Sequence, residues 1–372
     1  MNEIVYFDAA ASFLKPESVI GVQADFLRNK YANSGRGVCE RASWVDNMVN
    51  SVRQRVAQFI NADADQVVFT SGATEGLNRI VNIITSQPWY KRSFVCAVSD
   101  LEHHSARMPW DNALRCGKVK QILVYDLDEN FNIKIDSIPK VDILVVTAMS
   151  NVLGIPQDVT AIVRAARAKN KDVIVIVDAT QYVVHKDIDV RAWDADFVVF
   201  SGHKIGADTG VGVMYIRDSQ KYQPDKFGGG MVSRIMDDGT WTLQNAPEKW
   251  EAGTLPLTQI CGLGVAVSEL KSNRPDLNLV KYMYDELQHI PRVKMLTSKD
   301  AALLSFVIDG MHVLDFGAMA GANGICLRVG NMCASWIHRL MKLDGSIRVS
   351  VGPWNTKLDA DKFISMVKKV VK

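Results

Sequence analysis

Short apolar segments alternate with longer segments of helical period between about residues 67 and 217. The apolar segments read QVVFT, SFVCAV, QILVYDL, DILVVTAM, DVIVIVD, DFVVFS and VGVMYI. Between several of them, as in TEGLNRIVNIIT and DVTAIVRAARAKN, apolar residues recur every three or four positions, as on one helix face. Strands that are apolar throughout are typical of a sheet covered on both faces. The pattern therefore predicts an α/β fold with a doubly wound, mainly parallel sheet.

The pattern changes after Ile216. The segment KFGGGMVSRIMDDGTWTLQ is glycine-rich and has no period, and we interpret it as a long functional or interface loop. The helical stretch TQICGLGVAVSELK then leads into a region that mixes helices with the strands LLSFVI, GICLRV and SIRVSV. This region predicts a second, smaller α+β domain, and 372 residues are enough for two domains.

Composition narrows the class of protein. Hydrophobic residues make up 48% of the chain and charged residues 23%, which is typical of a globular protein. The net charge is +2 and the longest apolar runs have the length of strands, so we expect no nucleic-acid partner and no membrane span. The N-terminus lacks the features of a signal peptide, and we expect a cytoplasmic protein.

The cysteines predict free thiols in a reducing compartment. The six of them form no CxxC pair and no zinc-binding spacing, so we expect small buried hydrophobes and no metal site. They are Cys39, Cys96, Cys116, Cys261, Cys326 and Cys333.

Polar residues cluster directly after the predicted strands. In an open α/β sheet, ligands bind at the carboxyl ends of the strands. The polar groups at these positions are Ser71 to Glu75, Glu102 to His104, Ser150 and Asn151, Asp178 to Gln181, and Ser201 with His203 and Lys204. We therefore expect them to meet in one crevice.

Two of these strand ends indicate a bound anion and a paired charge. The turn SGAT before a helix offers amide groups and a hydroxyl to a phosphate, although an ordinary helix cap also explains it. Asp178 ends an aliphatic run, where a carboxylate needs a partner such as a protonated ring nitrogen or a metal. A P-loop nucleotide site is excluded because the chain has no G-x-x-x-x-G-K-[ST] motif.

Lys204 stands at the end of the apolar strand in FVVFSGHKIG. Desolvation there should lower the pKa of its amine, which favours a nucleophile able to form a Schiff base, although a solvated surface role is the more common one for a single lysine. A phosphate-binding turn, a carboxylate for a ring nitrogen, a flat histidine and a lysine nucleophile are together what pyridoxal phosphate requires.

Eleven segments resemble, in order, the motifs of fold-type I, class V aminotransferase-like pyridoxal-phosphate enzymes, and among them the SUF-type cysteine desulfurases and selenocysteine lyases. The segments are YFDAAASFLKP, YANSGRG, VVFTSGATEGLN, LEHHSARMPW, SNVLGIPQDV, VDATQYVVHKDIDV, FSGHKIGADTGVGVMYIR, GGGM, WEAGTLP, LRVGNMCA and IRVSVGPWNT. The resemblance covers nearly the whole chain. It implies a large cofactor-binding domain at 16–261 and a small domain formed by 1–15 and 262–372.

The resemblance implies a role for each candidate residue toward pyridoxal 5'-phosphate. Lys204 would bind the cofactor covalently and move the substrate's α-proton. Asp178 would pair with the pyridine nitrogen, Gln181 would bond the ring oxygen, and His103 would stack on the ring. The phosphate would be held by a further set, Ala73, Thr74, Ser201 and His203, completed by Thr254 of the neighbouring subunit. The resemblance thus implies an obligate homodimer with composite sites.

The same resemblance implies L-cysteine as substrate, with L-selenocysteine as a second option. Arg348 would clamp the substrate carboxylate with help from Asn151, and Arg328 would line the pocket. Cys333, fifteen residues before Arg348, would take up sulfur as a persulfide and release L-alanine. The sulfur would pass to an acceptor protein serving iron-sulfur cluster assembly or another thiolation pathway.

Departures from the family pattern keep alternatives open. Asn331 and Met332 replace the family's usual pair of histidines, and Gly35 and Cys39 also stand where relatives have histidines. Three hypotheses remain: a cysteine desulfurase, a selenocysteine lyase or other class V enzyme that does not use Cys333, and a catalytically weak scaffold for an assembly partner. A buried structural thiol is the alternative for Cys333, and a surface arginine is the alternative for Arg348.

Overall fold

A seven-stranded sheet forms the centre of the molecule. The computed structural model describes residues 4–35, 37–91 and 93–371. Its strands are β1 (Val5–Tyr6), β2 (Val67–Thr70), β3 (Val95–Val98), β4 (Gln121–Val124), β5 (Ile143–Thr147), β6 (Ile174–Asp178), β7 (Phe197–Ser201), β8 (Gly212–Ile216), β9 (Val232–Ile235), β10 (Trp241–Leu243), β11 (Val293–Met295), β12 (Leu304–Ile308), β13 (Ile325–Cys326), β14 (Arg328–Gly330) and β15 (Ser346–Val349). Its α-helices are α1 (Glu17–Asp25), α2 (Glu40–Ile60), α3 (Ala73–Thr85), α4 (His104–Arg115), α5 (Val159–Lys169), α6 (Tyr182–His185), α7 (Val190–Trp193), α8 (Leu257–Glu269), α9 (Leu277–Leu287), α10 (Val313–Ala322), α11 (Ser335–Leu340) and α12 (Lys357–Val370). No helix in these ranges is both long enough and apolar enough to cross a membrane.

The central sheet has the strand order β2-β8-β7-β6-β5-β3-β4. β8 runs antiparallel to its neighbours β2 and β7, and the other neighbouring strands are parallel. The predicted α/β fold with a mainly parallel sheet is confirmed. Each strand predicted between residues 67 and 217 is present, with ends that differ from the expected ones by a few residues.

The middle strands of this sheet are buried on both faces. β5, β6, β7 and β8 are buried along their whole length, and their sequences are almost entirely apolar. α3 and α4 pack on one face of the sheet, and α2, α5 and α8 pack on the other. The apolar runs in the sequence therefore reflect a sheet enclosed between two helical layers.

A second, antiparallel sheet with the order β11-β12-β15-β14 lies in the C-terminal part of the chain. α9, α10 and α12 cover it through an apolar cluster that includes Phe306 and Phe363. The N-terminal strand β1 pairs with β13, and Val5 and Phe7 join the same cluster. β13 and β14, predicted as the single strand GICLRV, belong to different sheets. The division of the chain at 15/16 and 261/262 stays a prediction.

The glycine-rich segment at 226–244 differs from the prediction. It contains an antiparallel hairpin of β9 and β10 instead of an irregular loop. Asp238 accepts hydrogen bonds from the amide and the hydroxyl of Thr240, and Gly239 adopts the left-handed backbone (φ 84°) that this turn requires. Most residues of both strands are exposed, so no alternation of apolar and polar positions marks the hairpin in the sequence.

The six thiols are free, but only two of them are buried. Cys96 and Cys261 are the predicted small buried hydrophobes. The other four are exposed, which corrects the prediction: Cys39, Cys116, Cys326 and Cys333. Each of these four lies in a two-residue strand, in a turn or at a helix end, where the side chain need not enter the core.

A buried ion pair joins the segment before α8 to the central sheet. The two terminal guanidinium nitrogens of Arg53 donate to the carboxylate of Glu251 at 2.7 Å, and the two side chains are only 6% and 5% exposed. Arg53 also donates to the carbonyl of Val67, and Glu251 accepts from the amide of Phe69. The pair therefore fixes α2, β2 and the chain around residue 251 to one another.

Glu251→Gln should destabilise the protein, because Arg53 would keep its charge in a buried site without a compensating carboxylate. We expect a loss of about 3 kcal/mol in the free energy of unfolding, measured by urea denaturation. Asp309→Asn removes an exposed ion pair to Lys294 and serves as the control, with an expected loss below about 1 kcal/mol. Equal losses in the two variants would contradict the structural role of the buried pair.

Candidate active site

A cavity of about 330 Å³ lies at the carboxyl ends of β5, β6 and β7. Its other walls come from the N-terminal segment at Ala10 and Ala11 and from the smaller sheet. Every predicted site residue except Thr254 lines it: Ala73, Thr74, His103, Asn151, Asp178, Gln181, Ser201, His203, Lys204, Arg328, Cys333 and Arg348. A more open cleft of about 650 Å³ adjoins it and shares the side chains of Thr74 and Ser105. The polar strand ends thus meet in one crevice, and the candidate lysine, arginines and thiol all face the smaller cavity.

Lys204 enters the cavity from the short 3₁₀ turn that follows β7. Its ammonium donates hydrogen bonds to the carbonyl oxygens of Ala10 (2.6 Å) and Ala11 (2.9 Å). Burial, and after it the positive charge of Arg348, lowers the pKa of the amine to about 8. The expected lowering of this pKa is confirmed. A large fraction of the amine is therefore neutral near that pH and able to act as a nucleophile.

Asp178 and Gln181 lie at the end of β6. One carboxylate oxygen of Asp178 accepts from the amide of Thr180 (3.0 Å), and the side-chain amide of Gln181 donates to the carbonyl of Ala10 (2.7 Å). Within the described residues, the side-chain oxygens of Gln181 and Thr180 are buried and have no hydrogen-bond partner. Buried polar atoms are rarely left unpaired, so these two oxygens mark a place for a polar ligand.

The start of α3 is suited to binding an anion. Gly72 caps the helix and lies so close to Gly212 that a Cβ atom on Gly212 would be 2.6 Å from the Gly72 Cα. The amide of Ala73 donates to the hydroxyl of Ser201 (2.8 Å), and the hydroxyl of Thr74 bonds that of Ser105 (2.8 Å). The amide groups of a first helical turn have no partners within the helix, so those that are not bonded to Ser201 are available to a phosphate.

Two histidines of the cavity are neutral. His103 caps α4, and its Nδ1 accepts a hydrogen bond from the amide of Ser105 (3.1 Å), which places the ring proton on Nε2. Burial lowers the pKa of His103. Burial, and after it the charge of Lys204, lowers the pKa of His203 to about 4. Each ring therefore offers the cavity an uncharged donor or a flat face.

Two arginines form the wall on the side of the smaller sheet, and Asp8 bonds both of them from outside the cavity lining. Arg348, on β15, is buried and donates to the carbonyl of Asn151 (2.9 Å) and to one oxygen of Asp8 (3.1 Å). Arg328, on β14, donates to the other oxygen of Asp8 (2.7 Å). The Nε of Arg348 is buried and unpaired within the described residues. The alternative of a surface arginine is therefore wrong for Arg348, and its free edge suits a carboxylate.

Cys333 lies on a tight turn between β14 and α11. Cys333 and Met332 have φ values of 53° and 48°, which are uncommon for residues other than glycine. The side-chain amide of Asn151 donates to the carbonyl of Met332 (2.8 Å), and the amide of His104 donates to the carbonyl of Cys333 (2.7 Å). The next residue, Ala334, is fully buried, whereas Cys333 is exposed. The turn is therefore anchored in the core through Ala334, while the side chain of Cys333 is exposed. The alternative of a buried structural thiol is wrong for Cys333.

Thr254 lies outside the cavity of its own chain. It is exposed and lines a separate depression of about 610 Å³ together with Asn33, Ser34 and Gly230. Its predicted contact is with a neighbouring subunit, and that contact stays a prediction.

Several polar residues of the site were missed by the sequence analysis. Ser105 and Thr147 line the cavity, and Asp8 bonds both arginines of its wall. Asp8 follows β1 within the motif YFDAAASF. The rule that ligands lie beyond strand ends, applied to the N-terminal strand as well, would have identified it.

The groups around the cavity fit pyridoxal phosphate. They provide a lysine with a lowered pKa, a carboxylate for a ring nitrogen, neutral imidazoles and a helix start for a phosphate. The buried, unpaired oxygens of Gln181 and Thr180 are the structural observation that favours a polar ligand here.

Glu102 lies next to a residue that lines the cavity, Thr147. It is fully buried and accepts hydrogen bonds from the hydroxyl of Ser99 (2.9 Å) and from the amide (3.1 Å) and hydroxyl (2.5 Å) of Thr147. Thr147 is paired with Asp178 across β5 and β6. Burial raises the pKa of Glu102 to about 7, although these hydrogen bonds oppose the rise.

Comparison with known proteins gives a consistent result. The family model for class V aminotransferases matches residues 5–363. A cysteine desulfurase of Klebsiella pneumoniae subsp. pneumoniae is 32% identical over 99% of this chain and 94% of its own length. A cysteine desulfurase of Escherichia coli is 31% identical over 99% of this chain and 93% of its own length.

Solved structures show the same similarity. A cysteine desulfurase from Thermococcus onnurineus superimposes with a TM-score of 0.93 at 27% identity, covering 100% of this chain and 95% of its own. The cysteine desulfurase CsdA of Escherichia coli superimposes with a TM-score of 0.89 at 30% identity, covering 99% of this chain and 94% of its own. Both similarities extend over the central and the smaller sheet.

Glu102→Gln should change how stability depends on pH. Because the folded pKa of Glu102 is raised from 4.5 to about 7, its contribution to stability is complete at low pH and is lost as the pH rises through about 7. We expect the free energy of unfolding of the parent, relative to the variant, to fall by about 2 to 3 kcal/mol between about pH 5 and pH 8. Urea denaturation across this range measures it, with the exposed Glu129→Gln as control. A difference that does not vary with pH would contradict the raised pKa.

Proposed function

The chain belongs to the class V aminotransferase family, and on this premise we propose that it is a cysteine desulfurase. It converts L-cysteine to L-alanine and takes up the sulfur on Cys333. The observation that carries this proposal is the exposed thiol of Cys333, which lines the same cavity as Lys204 and Arg348. The turn that carries it is fixed by hydrogen bonds from Asn151 and His104.

Family members use pyridoxal 5'-phosphate. When bound, this cofactor supplies an electron sink for the charge that develops at the substrate's α-carbon. Lys204 would hold it covalently, Asp178 would keep a proton on its ring nitrogen, Gln181 would bond its ring oxygen, and the neutral His103 would stack on the ring. The start of α3 with its neighbours would hold the phosphate: Ala73, Thr74, Ser201 and His203.

Arg348 binds the substrate carboxylate. Its guanidinium is oriented by the carbonyl of Asn151 and by Asp8, and its unpaired Nε remains for the ligand. Asn151 assists through its side-chain amide, and Arg328 lines the outer part of the pocket. Fixing the carboxylate in this way directs the amino group of the substrate toward Lys204.

Lys204 moves the proton at the substrate's α-carbon. A lysine amine with a pKa of about 8 is partly neutral under physiological conditions, so it can accept this proton and return one later. The carbonyls of Ala10 and Ala11 stabilise the protonated form between these steps.

Cys333 accepts the sulfur. Its thiolate attacks the substrate's sulfur atom, so that an S–S bond forms on Cys333 while the bond between carbon and sulfur breaks. The electron pair of the broken bond stays with the carbon fragment, which takes up a proton and leaves as L-alanine. The product on the protein is a persulfide.

A selenocysteine lyase or another class V lyase that does not use Cys333 is the second candidate. The observation that favours it is Met332, which lines the cavity at a position where the resemblance implies a histidine that could hold a thiolate.

Several finer features belong to the same proposal. The enzyme acts as a homodimer in the cytoplasm, with Thr254 of each chain completing the phosphate site of the other. Its persulfide passes to an acceptor protein, for iron-sulfur cluster assembly or a related pathway. The exposed position of Thr254, away from its own cavity, supports the composite site.

Cys333→Ala should lower L-alanine formation from L-cysteine in the presence of a reductant by about 100-fold or more. Cys326→Ala removes another exposed thiol and is the matched control, with unchanged activity expected. Equal alanine formation by parent and Cys333→Ala, or pyruvate in its place, would favour the second candidate.

Borohydride reduction should attach the cofactor to Lys204 in the parent, and the label should be absent from Lys204→Ala.

Thr254→Ala should weaken retention of the cofactor by about tenfold, because a hydrogen bond to a charged phosphate is lost. In mixed dimers of Thr254→Ala and Lys204→Ala chains, one site combines an intact Lys204 with an intact Thr254 of the other chain. Such dimers should regain about one working site each. The absence of any recovery would contradict the composite site.

A further inference from the structure

His104 holds the turn that carries Cys333 from the side of α4. Its amide donates to the carbonyl of Cys333 (2.7 Å). Its ring nitrogen Nε2 accepts a hydrogen bond from the amide of Ser335 (3.1 Å), and the hydroxyl of Ser335 lies 3.1 Å from the same nitrogen. The backbone and the side chain of one residue therefore hold the chain on both sides of Ala334.

The imidazole of His104 replaces a cap that α11 lacks. The first amides of a helix have no partner within it, and a polar side chain at the N-cap position usually accepts from one of them. Ala334 occupies this position in α11, and its methyl group cannot accept a hydrogen bond. The cap is therefore supplied by a residue of another helix, 231 positions earlier in the chain.

The turn needs support from its surroundings because its backbone is strained. Met332 and Cys333 have φ values of 48° and 53°, a left-handed conformation that is unfavourable for residues with a side chain. Asn151 bonds the carbonyl of Met332 (2.8 Å) on one side of the turn. His104 bonds the carbonyl of Cys333 and the start of α11 on the other side. Without the His104 acceptor, the side of the turn next to α11 would be released.

Further contacts between α4 and α11 keep His104 in place. The ring of Trp336 packs edge-on against the imidazole, with 5.1 Å between the ring centres. The guanidinium of Arg107 lies 4.3 Å from the centre of the same indole and bonds Asp100 (3.0 Å). Burial lowers the pKa of His104, so the ring is neutral near pH 7 and the lone pair on Nε2 is available to the Ser335 amide.

His104 is set apart from the residues that would contact a ligand. Its neighbours His103 and Ser105 line the smaller cavity, whereas His104 lines the open cleft beside it. In the proposed function His103 stacks on the cofactor. Two consecutive residues of α4 therefore define the place of the cofactor ring and the place of the thiol, and they fix the distance between the two.

We propose that His104 is a positioning residue for sulfur transfer, which holds the thiol of Cys333 where it can attack the substrate's sulfur atom. Attack requires alignment with the bond that breaks, so a small displacement of the turn slows this step. Binding of the substrate carboxylate by Arg348 does not require the His104 ring. The inference rests on the proposed function, since it assigns the uptake of sulfur to Cys333.

The test separates binding from sulfur transfer in the holoenzyme. Titration of the cofactor's visible absorbance with L-alanine gives the affinity for an amino acid. Rapid mixing with L-cysteine, followed by quenching and mass spectrometry, gives the rate of persulfide formation on Cys333. In His104→Leu we expect this rate to fall by about tenfold or more, with the affinity for L-alanine within about twofold of the parent. An equal loss in both measurements would overturn the proposal, because His104 would then act on the ligand site itself.

Two further variants distinguish positioning from a general loss of stability. His104→Gln places an oxygen where it can accept from the Ser335 amide, and most of the rate should return. His312→Leu is the matched control, since His312 is exposed and caps a different helix, α10, by accepting from the amide of Leu314 (3.3 Å). Its rate should equal that of the parent. Equal slowing in His104→Leu and His312→Leu, or no recovery in His104→Gln, would contradict the role of His104.

Hydrogen exchange measures the hold on the turn without any substrate. In His104→Leu, amides of the peptide 331–340 should exchange about fivefold faster than in the parent, and in His312→Leu they should not. If the parent holoenzyme forms no persulfide from L-cysteine, the proposed function fails, and the exchange rates still decide whether His104 holds the turn. If persulfide forms equally fast in the parent and in His104→Leu, only the inference about His104 fails.

Discussion

The requirement that buried charges be paired determines how this active site is built. Lys204 ends an apolar strand where water is scarce, and its ammonium is satisfied by two main-chain carbonyls from residues almost two hundred positions earlier. The same N-terminal segment accepts a hydrogen bond from Gln181 and places Asp8 between two arginines. One stretch of chain that crosses the carboxyl ends of the central strands therefore satisfies the cationic groups on both sides of the cavity. Without it, Lys204 would lose both of its carbonyl partners, and the buried Arg348 would keep only the carbonyl of Asn151.

The same segment connects the two sheets to the chemistry. β1 pairs with β13 beside the smaller sheet, and the residues that follow it reach the end of the central one. The groups that we propose to bind the cofactor are carried by the central sheet, and the arginines and Cys333 by the smaller sheet and the turn after it. Their relative position is fixed by hydrogen bonds that cross between them, such as those from Arg348 and Asn151. Asn151 takes part in both hydrogen bonds, because its backbone carbonyl accepts from Arg348 and its side-chain amide donates to the turn that carries Cys333.

The thiol differs in character from the other groups of the cavity. Lys204 and His103 have lowered pKa values because they are buried, whereas Cys333 is exposed on a turn with an unfavourable backbone conformation. This exposure suits the proposed role of Cys333, since a residue that carries sulfur must reach the substrate within the cavity and later an acceptor outside it. Met332 and Asn331 stand where the resemblance implies histidines, and the turn is held through the backbone carbonyls of Met332 and Cys333.

The sequence by itself determined the strands, because a sheet covered on both faces needs apolar runs that are visible locally. It also determined the polar strand ends and the lowered pKa of Lys204, which follow from the position of each residue relative to its own strand. The tertiary structure alone decided which residues become partners. Asp8 and Arg348 are 340 positions apart, and no periodic pattern in the sequence around either residue indicates that they are in contact. The exposure of four thiols, the hairpin at β9 and β10 and the place of Thr254 outside its own cavity were likewise decided by packing. Periodicity records burial along one element, whereas a site depends on contacts between elements distant in the chain.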